Sequence, residues 1–575
     1  MNISAKLHSL MNDKKSELDA SYKIEKNKDN IIVISKNGRA LHSKYNINNE
    51  CKRVLENINK NKNLLIIYGY GLGYILKYLI ENINDYFNKE IIKTLKIIVV
   101  IEDISVFKYS YNNIYNTDNN NIFFIHKDDS INYINKIVDY KSINGINLVM
   151  LPALTKEEKD NANIFYTKIL NIVEKEVSNI FTNMYFENIW TKNIIFNSEY
   201  INNSSDISLF KEAFKGLKAL LICPGPTLKH SIDIIKKERE NLLIICVDTS
   251  YSVLCKHGII PDFVITVDGG FFNSLDFVYE NTQFPYLVMD IAANKIIPKC
   301  IKSNIIRFTS SENLGLIKYI QKFTKLSYLT TSSTVATTMI DFACYLGLDE
   351  ILLIGFDNSY PFYERHMKHA LSYEYMVNKT NKLKTYESYY FNTIRNNTNI
   401  DNYPPTEFVF ESQMEYFDEY RNKYSNMKIK RITKEAVKIN SIEEGQIEDF
   451  IINNIRKKSL HIAKSIYKKD NDANIKKAYS ELKNLLEEFR NILSNTYDNI
   501  NNNSCNIDNL YYETMNTVKE YQNKAGILQT ILSATILMCD RGERENREKL
   551  IFLIMESLRN VNYFLTRISL IIEKL

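Results

Sequence analysis

The residues with the clearest chemical potential follow predicted strands in the middle of the chain. The apolar run ALLIC (219–223) leads into Gly225, Pro226 and Thr227, and a helix is predicted to begin near Leu228. Glycine permits a tight turn with close backbone approach, and a threonine there can cap the helix. The free amides and the dipole of such a helix start attract phosphate groups. An ordinary strand–turn–helix corner explains the same residues equally well.

Two further strands are predicted to end in carboxylates. Asp248 and Thr249 follow LLIICV, and Asp268 follows DFVITV. Ligands of open α/β sheets bind beyond the carboxyl ends of the strands, where such side chains can contact ribose hydroxyls or a divalent cation. Asp248, Asp268 and Asp357, which ends a later predicted strand, are therefore the candidate ligands of a magnesium ion. Helix capping is the simpler explanation for Asp248 or Asp268 taken alone.

A run of hydroxyl side chains, residues 330–334, stands directly before a predicted helix. Hydroxyls combined with helix-start amides form a cradle for anions. Capping needs only one hydroxyl, so a run that includes Thr331, Ser332 and Ser333 favours a binding role.

The strand after that helix, ILLIGFD (351–357), ends at Asp357 and is followed by Tyr360. His366 and His369 come shortly after it, three residues apart. Either imidazole can act as a general base near neutral pH. A surface histidine is the commoner explanation for each one alone, and their proximity to a predicted cleft favours the catalytic interpretation.

Near the N-terminus, IIYGYGLGYIL contains Gly69, Gly71 and Gly73 at a predicted strand-to-helix turn. Glu102 ends the next strand. This arrangement is similar to a methyltransferase or dinucleotide site, where glycines admit the ligand and the acid binds ribose. The spacing is GxGxG rather than GxGxxG. A retained scaffold without a ligand is the alternative interpretation.

Apolar runs of five to seven residues alternate with helical segments, which predicts an α/β protein with parallel sheets covered on both faces. Four segments are predicted: an N-terminal α/β domain (1–185), a helical connector (186–215), a central Rossmann-like domain (216–404) and an all-helical C-terminal domain (405–575). In the last segment no strand is expected, and the asparagine-rich stretch 495–509 is predicted to be a loop.

The composition excludes several classes of protein. The net charge is only +5, so no concentrated basic face for nucleic acid is expected. The eight cysteines form no CxxC pair, which argues against a zinc site or a disulfide framework. The N-terminus lacks the apolar segment of a secretory signal, and no apolar run reaches the 18 or so residues of a membrane span. We expect a cytoplasmic protein.

Taken together, four segments resemble the central domain of the motility-associated factor family, which are bacterial flagellin glycosyltransferases. They are CPGPTL, HGIIPDFVITVD (257–268), TSSTVATTMIDFACYLGLDEILLIGFD and the downstream His369-Ala370. The preceding segment FENIWTKNIIFN (186–197) and the order of the domains are also similar to that family. The resemblance implies transfer of a nonulosonic acid, of pseudaminic or legionaminic type, from a CMP-activated donor to Ser or Thr of flagellin, in support of flagellar assembly and motility.

The central block also resembles bacterial sialyltransferases that bind CMP-sialic acid on a Rossmann-like sheet. That resemblance implies a donor phosphate or ribose site at residues 225–227, a cytidine site at residues 331–333 and a catalytic histidine at His369. Asp357 and Tyr360 match the strand-end Asp and Tyr of that family. Thr227 stands where the family usually has serine, and the alignment beyond residue 370 does not separate His369 from His366.

Two other functions stay open at this level. An archaeal-type pterin diphosphokinase carries a related central domain and would use ATP, a pterin and metal-bound aspartates, but it does not need the long flanking regions. A non-catalytic flagellin-binding chaperone would use the helical C-terminal region to hold its partner.

Overall fold

The computed structural model describes most of the chain, in two compact units that divide after Asn183. The described residues are 2–11, 18, 20–27, 30–113, 121–128, 134, 136–140, 142–278, 284–311, 314–329, 334–386, 388, 404–407, 410–411, 413–414, 427–432, 434–469, 474–501, 506–541 and 546–575.

The first unit contains a parallel five-stranded sheet in the order β1-β7-β6-β5-β8 and an antiparallel three-stranded sheet in the order β2-β3-β4. The strands are β1 (Asn2–Ile3), β2 (Tyr22–Lys26), β3 (Ile32–Lys36), β4 (Arg39–Ala40), β5 (Leu64–Tyr68), β6 (Lys96–Ile101), β7 (Ile122–His126) and β8 (Ile146–Met150). The helices are α1 (Ala5–Met11), α2 (Ile47–Leu55), α3 (Tyr74–Glu81), α4 (Ile83–Tyr86), α5 (Lys89–Thr94) and α6 (Ile104–Asn113). Strand β5 is buried along its whole length, as expected for a strand covered on both faces.

A long helix, α7 (Lys156–Asn197), runs across the residue at which the two units divide. Short 3₁₀ turns follow at Ser198–Asn203 and Ile207–Phe210. Within the predicted connector (186–215), helix α7 extends to Asn197, and the short strand Ser205–Asp206 follows.

The second unit is built on a nine-stranded sheet in the order β17-β16-β15-β10-β11-β12-β13-β14-β9, in which every pairing is parallel. The strands are β9 (Ser205–Asp206), β10 (Lys218–Ile222), β11 (Ile244–Val247), β12 (Phe263–Thr266), β13 (Tyr286–Asp290), β14 (Asn304–Phe308), β15 (Glu350–Ile354), β16 (Lys428–Arg431) and β17 (Glu443–Glu444). The chain winds from β10 towards β14 on one side and from β15 towards β17 on the other. The topological switch point, where ligands of such sheets bind, therefore lies between β10 and β15.

Alternate side chains of the central strands enter two different cores, as the period of two requires. Leu221 belongs to the core covered by Met339 and Ile340, whereas Leu220 belongs to the core covered by Tyr251 and Leu254. The helices that follow strands β10–β15 are α8 (Ile232–Lys237), α9 (Asp248–Lys256), α10 (Phe271–Val278), α11 (Ile297–Cys300), α12 (Gly315–Ile320), α13 (Val335–Tyr345) and α14 (Leu371–Asn378). Helices thus cover both faces of the sheet.

The C-terminal part is a group of helices with its own apolar core. These helices are α15 (Ile455–Ile466), α16 (Asn474–Asn501), α17 (Ile507–Ala525), α18 (Ile527–Ile531), α19 (Ser533–Arg541) and α20 (Asn546–Lys574). Leu482, Leu486, Phe489 and Leu493 of α16 recur at three- and four-residue intervals, and all four are fully buried in this core. Within the part of the chain that the structure describes, no helix has both the length and the apolar character of a membrane span.

Two expectations for this region are wrong. The segment after residue 404, expected to hold no strand, contributes β16 and β17 to the central sheet. Their short, polar sequences, KIKR and EE, lack the apolar signal of a buried strand. The asparagine-rich stretch 495–509 is also not one loop, because α16 continues to Asn501 and α17 begins at Ile507. The helical spacing of its apolar residues outweighs the weak propensity of asparagine.

Candidate active site

The loops after β10 and β15 pack against each other at the switch point. The amide of Gly225 donates to the carbonyl of Gly355 at 2.9 Å, which extends the ladder beyond the two strands. A Cβ on Gly225 would lie 2.3 Å from that carbonyl oxygen and 2.5 Å from a carboxylate oxygen of Asp357. Gly355 has φ +67°, and a Cβ there would lie 2.3 Å from the carbonyl oxygen of Cys223. Both glycines are therefore needed for this close approach.

Thr227 and Asp357 join the two loops. The carboxylate of Asp357 accepts the amide of Thr227 at 3.0 Å and also its hydroxyl. Both side chains are buried, and burial raises the pKa of Asp357 even though these bonds and Arg431 oppose the rise. Thr227 does not cap a helix as expected. The residue before the 3₁₀ turn Pro226–His230 is Gly225, and the Thr227 amide is bound to a carboxylate.

Arg431 supports this junction from the neighbouring strand, β16. Its guanidinium is fully buried and donates to the carbonyl oxygens of Asp357 at 2.9 Å and Val437 at 2.7 Å. Tyr360, predicted to contact a donor, is also fully buried. The residues nominated after β15, Asp357 and Tyr360, are thus packed inside the protein.

Asp248 lies at the first position of α9, beyond β11, and is almost fully buried. Its carboxylate accepts hydrogen bonds from the Thr249 amide (2.9 Å), the Thr266 hydroxyl (2.9 Å) and the Asn273 amide group (3.0 Å). Burial is the largest influence and raises the pKa of Asp248 to about 6. In Asp276, burial and the charge of Asp248 raise the pKa to about 8. A buried pair of carboxyl groups thus lies beside the strand tips, and Asp276 is largely protonated at pH 7.

The loops after β12 and β13 are held by side-chain amides of α7. Asn193 donates to the carbonyl oxygens of Gly269 and Ala292, both at 3.1 Å, and Asn197 donates to those of Ile291 (2.9 Å) and Ala293 (2.8 Å). These two asparagines were not predicted as site residues from the sequence. Their spacing of four residues on an otherwise apolar helix face is the signal that could have identified them.

Asp268 has a local role at the tip of β12. Its carboxylate accepts the amide of Gly270 at 2.7 Å, which closes a turn. Asn294 of the next loop donates its backbone amide to the Asp268 carbonyl oxygen at 3.1 Å. Asp268 remains partly exposed at the same edge of the sheet as Asp248.

Of the hydroxyl run before α13, only Thr334 lies within the described residues. Thr334 caps α13 in a capping box with Thr337. Thr330, Thr331, Ser332 and Ser333 lie outside the described residues, so their predicted part in an anion cradle stays a prediction.

The two nominated histidines lie in the segment between β15 and α14. Burial, followed by the charge of Arg365, lowers the pKa of His366 to about 3, so this imidazole is neutral at pH 7. The next amide, that of Met367, donates to the carbonyl oxygen of Pro224 at 2.7 Å and ties the segment to the loop after β10.

His369 packs beside the C-terminal end of α9. Its exposed ring packs 5.8 Å from that of His257, which follows the last residue of α9. Asp248 is the first residue of the same nine-residue helix, so about 13 Å of helix separates the two ends. The backbone of His369 has φ +74°, a strained value for a residue with a side chain.

The N-terminal glycine turn is filled by a side chain of its own unit. Gly69, Gly71 and Gly73 all have positive φ, as the predicted turn requires. The amide of Leu72 donates to Nε2 of His42 at 3.0 Å, and a Cβ on Gly71 would lie 2.4 Å from that nitrogen.

The remaining ring nitrogen, Nδ1 of His42, contacts Glu50 at 3.0 Å. Glu102 follows β6 as predicted, and its carboxylate lies 3.5 Å from the ammonium of Lys127. His42 thus occupies the place at which a nucleotide would approach the loop backbone.

The candidate magnesium ligands lie on three different strand tips. Asp357 and Asp248 follow β15 and β11, which flank β10, so the two tips are about 10 Å apart. The carboxylates of Asp248, Asp268 and Asp357 all accept internal hydrogen bonds. Within the described ranges, no group of three or more His, Cys, Asp or Glu side chains is arranged to hold a metal ion.

The fold and the strand-tip site define a Rossmann-like α/β protein with a helical C-terminal part. Residues 192–362 match the family model described as 6-hydroxymethylpterin diphosphokinase MptE-like. The chain is also similar to the structure of the MAf glycosyltransferase from Magnetospirillum magneticum AMB-1. That similarity has a TM-score of 0.59 and 12% identity, and covers 99% of this chain and 95% of that chain. The predicted resemblance is therefore confirmed at the level of the fold.

A protein from Treponema pallidum (strain Nichols), described as uncharacterized, is 27% identical over 89 residues. This match covers 15% of the present chain and 40% of that relative.

Proposed function

We propose that this protein is a glycosyltransferase that moves a nonulosonic acid, of pseudaminic or legionaminic type, from its CMP-activated donor to Ser or Thr of flagellin, and so supports flagellar assembly and motility. The observation that carries the proposal is the similarity to a MAf glycosyltransferase over nearly the whole chain. The strand-tip loops converge at the switch point of the central sheet, where such a fold binds its ligand.

The donor site belongs at this edge of the sheet. Its proposed residues are Gly225, Pro226, Thr227, Asp248, Thr249, Asp268, Thr331, Ser332, Ser333 and Tyr360. Because Thr227 and Tyr360 are buried, their proposed role is to shape the crevice floor. Thr249 and Asp268 are partly exposed and are the better candidates for direct contact.

The proposed reaction displaces the CMP phosphate at the anomeric carbon. The acceptor oxygen forms a bond to that carbon, the bond to the phosphate oxygen breaks, and the phosphate leaves with the electron pair. The protein must remove the hydroxyl proton and stabilise the charge that develops on the phosphate. For the second task we propose the hydroxyl run before α13, because the Thr227 amide beyond β10 is already bound to Asp357.

The sequence predicts His369 as the general base, with His366 as the alternative. Asp357 is the third residue predicted to be catalytic. His369→Ala tests this assignment directly, because loss of a general base lowers turnover by about 10²–10⁴-fold. Turnover close to that of the unmodified protein would discard it. His366→Ala is the parallel variant.

A pterin diphosphokinase is the second candidate function, favoured by the family model over residues 192–362. It would transfer diphosphate from ATP to a hydroxymethylpterin. The long helical C-terminal part, with its separate core, has no evident use in that reaction.

One experiment separates these functions. Purified protein is incubated with flagellin and either CMP-pseudaminic or CMP-legionaminic acid, and the intact mass of flagellin is measured, with a parallel assay of ATP and a hydroxymethylpterin. A sugar-sized mass increase supports the transferase, whereas AMP release with the pterin supports the kinase. Flagellin binding without a mass increase supports a chaperone. Repeating the transfer in excess EDTA tests for an essential magnesium ion at Asp248, Asp268 or Asp357.

A further inference from the structure

His230, which was not predicted as a site residue, lies beside the switch point of the central sheet. His230 ends the 3₁₀ turn Pro226–His230 that follows β10, and about a third of its side chain is exposed. Its Nε2 lies 2.5 Å from a carboxylate oxygen of Glu435, in the loop after β16. Because β15 lies between β10 and β16, this pair bridges the loop that follows β15.

Several contacts fix the pair in that position. The ring of His230 packs 6.3 Å from that of Phe362. The loop that carries Glu435 is tied down at Val437, whose carbonyl oxygen binds Arg431 and whose amide donates to the Ser359 hydroxyl at 3.3 Å.

The backbone around the pair is strained. Asn358, Phe362, Tyr363 and Glu435 all have φ between +49° and +65°. Such conformations cost free energy in residues with side chains and concentrate at functional sites, where the surrounding structure holds them. Here they bring the loops after β15 and β16 against the turn that carries His230.

The two nitrogens of the imidazole have different environments. When Nε2 carries the proton and donates it to Glu435, Nδ1 is an unprotonated acceptor. Among the described residues, Glu435 is the hydrogen-bond partner of this ring, and Nδ1 has none. A carboxylate that fixes the tautomer of a partly exposed histidine is the arrangement that general bases use.

We propose that His230, oriented by Glu435, is the general base for the acceptor hydroxyl in place of His369 and His366, an inference that rests on the proposed function. The hydroxyl proton passes to Nδ1 as the acceptor oxygen bonds to the anomeric carbon and the CMP phosphate departs with the electrons of the broken bond. The resulting imidazolium is stabilised by Glu435, which acts as a positioning residue.

The test uses the full chain, flagellin and the same CMP-nonulosonates. His230→Ala is expected to lower the transfer rate by about 10²–10⁴-fold while CMP, titrated by calorimetry, still binds. Added imidazole is expected to restore part of the rate, which would not happen if His230 only supported the fold. The control His461→Ala alters an exposed histidine of α15 and should leave the rate unchanged.

Glu435→Gln gives a second measurement. The charged groups that face His230 are Glu435 after β16, Asp357 after β15 and Lys229 beside it. Without the Glu435 carboxylate the ring loses the partner that orients it, so kcat should fall while KM for the donor stays unchanged. An unchanged kcat would remove Glu435 from the assignment.

The possible failures are distinguishable. If the unmodified protein adds mass to flagellin and His230→Ala does so at the same rate, the assignment of the base is overturned alone. If the unmodified protein adds no mass, the proposed function is overturned and the base with it.

Discussion

At the level of single residues, the site depends on the close approach of two uncharged backbone segments, at Gly225 and Gly355. Gly225 and Gly355 let two loops approach until the backbone of one touches that of the other. This contact sets the position of Thr227 against Asp357, and so the shape of the crevice floor. The absence of a side chain at these two glycines is therefore as important here as the carboxylates.

Gly225→Ala should destabilise the protein by about 1–3 kcal/mol, because the new Cβ would meet backbone that cannot move aside. The free energy of unfolding from urea titration measures this effect. Gly270→Ala is the matched control, since the atom nearest to its Cβ would be a side-chain oxygen of Asp268 at 3.1 Å rather than backbone. Equal stability losses in the two variants would contradict the steric argument.

The buried acid pair predicts a pH-dependent stability. Asp276 has its pKa raised to about 8, so the folded state binds a proton that the unfolded chain releases near pH 4. Stability therefore falls as pH rises between about 4 and 8, by at most about 1.4 kcal/mol per pH unit, and the loss is complete above pH 8.

Asp276→Asn removes this titration, so the variant should gain stability relative to the unmodified protein between pH 5 and pH 8. Urea denaturation at several pH values measures the difference. The exposed Asp498→Asn serves as the control. A difference that stays constant with pH would count against the raised pKa.

At the scale of elements, the end of α7 organises the site from outside the sheet. Asn193 and Asn197 satisfy four carbonyl oxygens in the loops after β12 and β13. The helix thus supplies donors to carbonyl groups that lie beyond the ends of the strands.

Asn197→Ala should cost about 2–3 kcal/mol of stability, because it leaves two buried carbonyl groups without donors. Thermal or urea unfolding measures the loss. Asn171→Ala, at an exposed position of the same helix, should change stability by less than about 0.5 kcal/mol. Similar effects of the two substitutions would show that the amide contacts contribute little.

The glycine turn of the first unit gives another prediction at this scale. Because His42 binds the Leu72 amide, titration with S-adenosylmethionine or NAD should give no binding heat. His42→Ala, which empties the turn, is the variant to compare. Micromolar binding of either compound by the unmodified protein would restore the nucleotide-site interpretation.

At the scale of the whole molecule, the two units have separate cores. One large core and a small one are drawn from residues before 184, and the other three are drawn from residues after it. A fragment of residues 184–575 should therefore fold without the first unit. Cooperative urea unfolding and a native-like circular dichroism spectrum would support this. A fragment without a cooperative transition would show that the first unit is required.

The fold class, the buried strands and the glycine–proline turn could all be predicted from the sequence. These features follow from local rules: apolar runs of strand length, helical spacing, and turns that only glycine permits. The same rules missed β16 and β17, because short polar strands gain their stability from pairing with a neighbour rather than from their own apolar character.

Which polar residues are in contact could not be predicted from the sequence, because these contacts form only in the folded chain. Thr227 and Asp357 are 130 positions apart, and His230 and Glu435 are 205 apart, so no local pattern relates them. Their contacts exist because parallel pairing brings β10, β15 and β16 side by side with their carboxyl ends at one edge. His369 likewise packs against His257, a contact that no local pattern predicts. The positions of polar residues after predicted strands identified the strand tips as the site. The order of the strands in the sheet determined which of these residues are in contact.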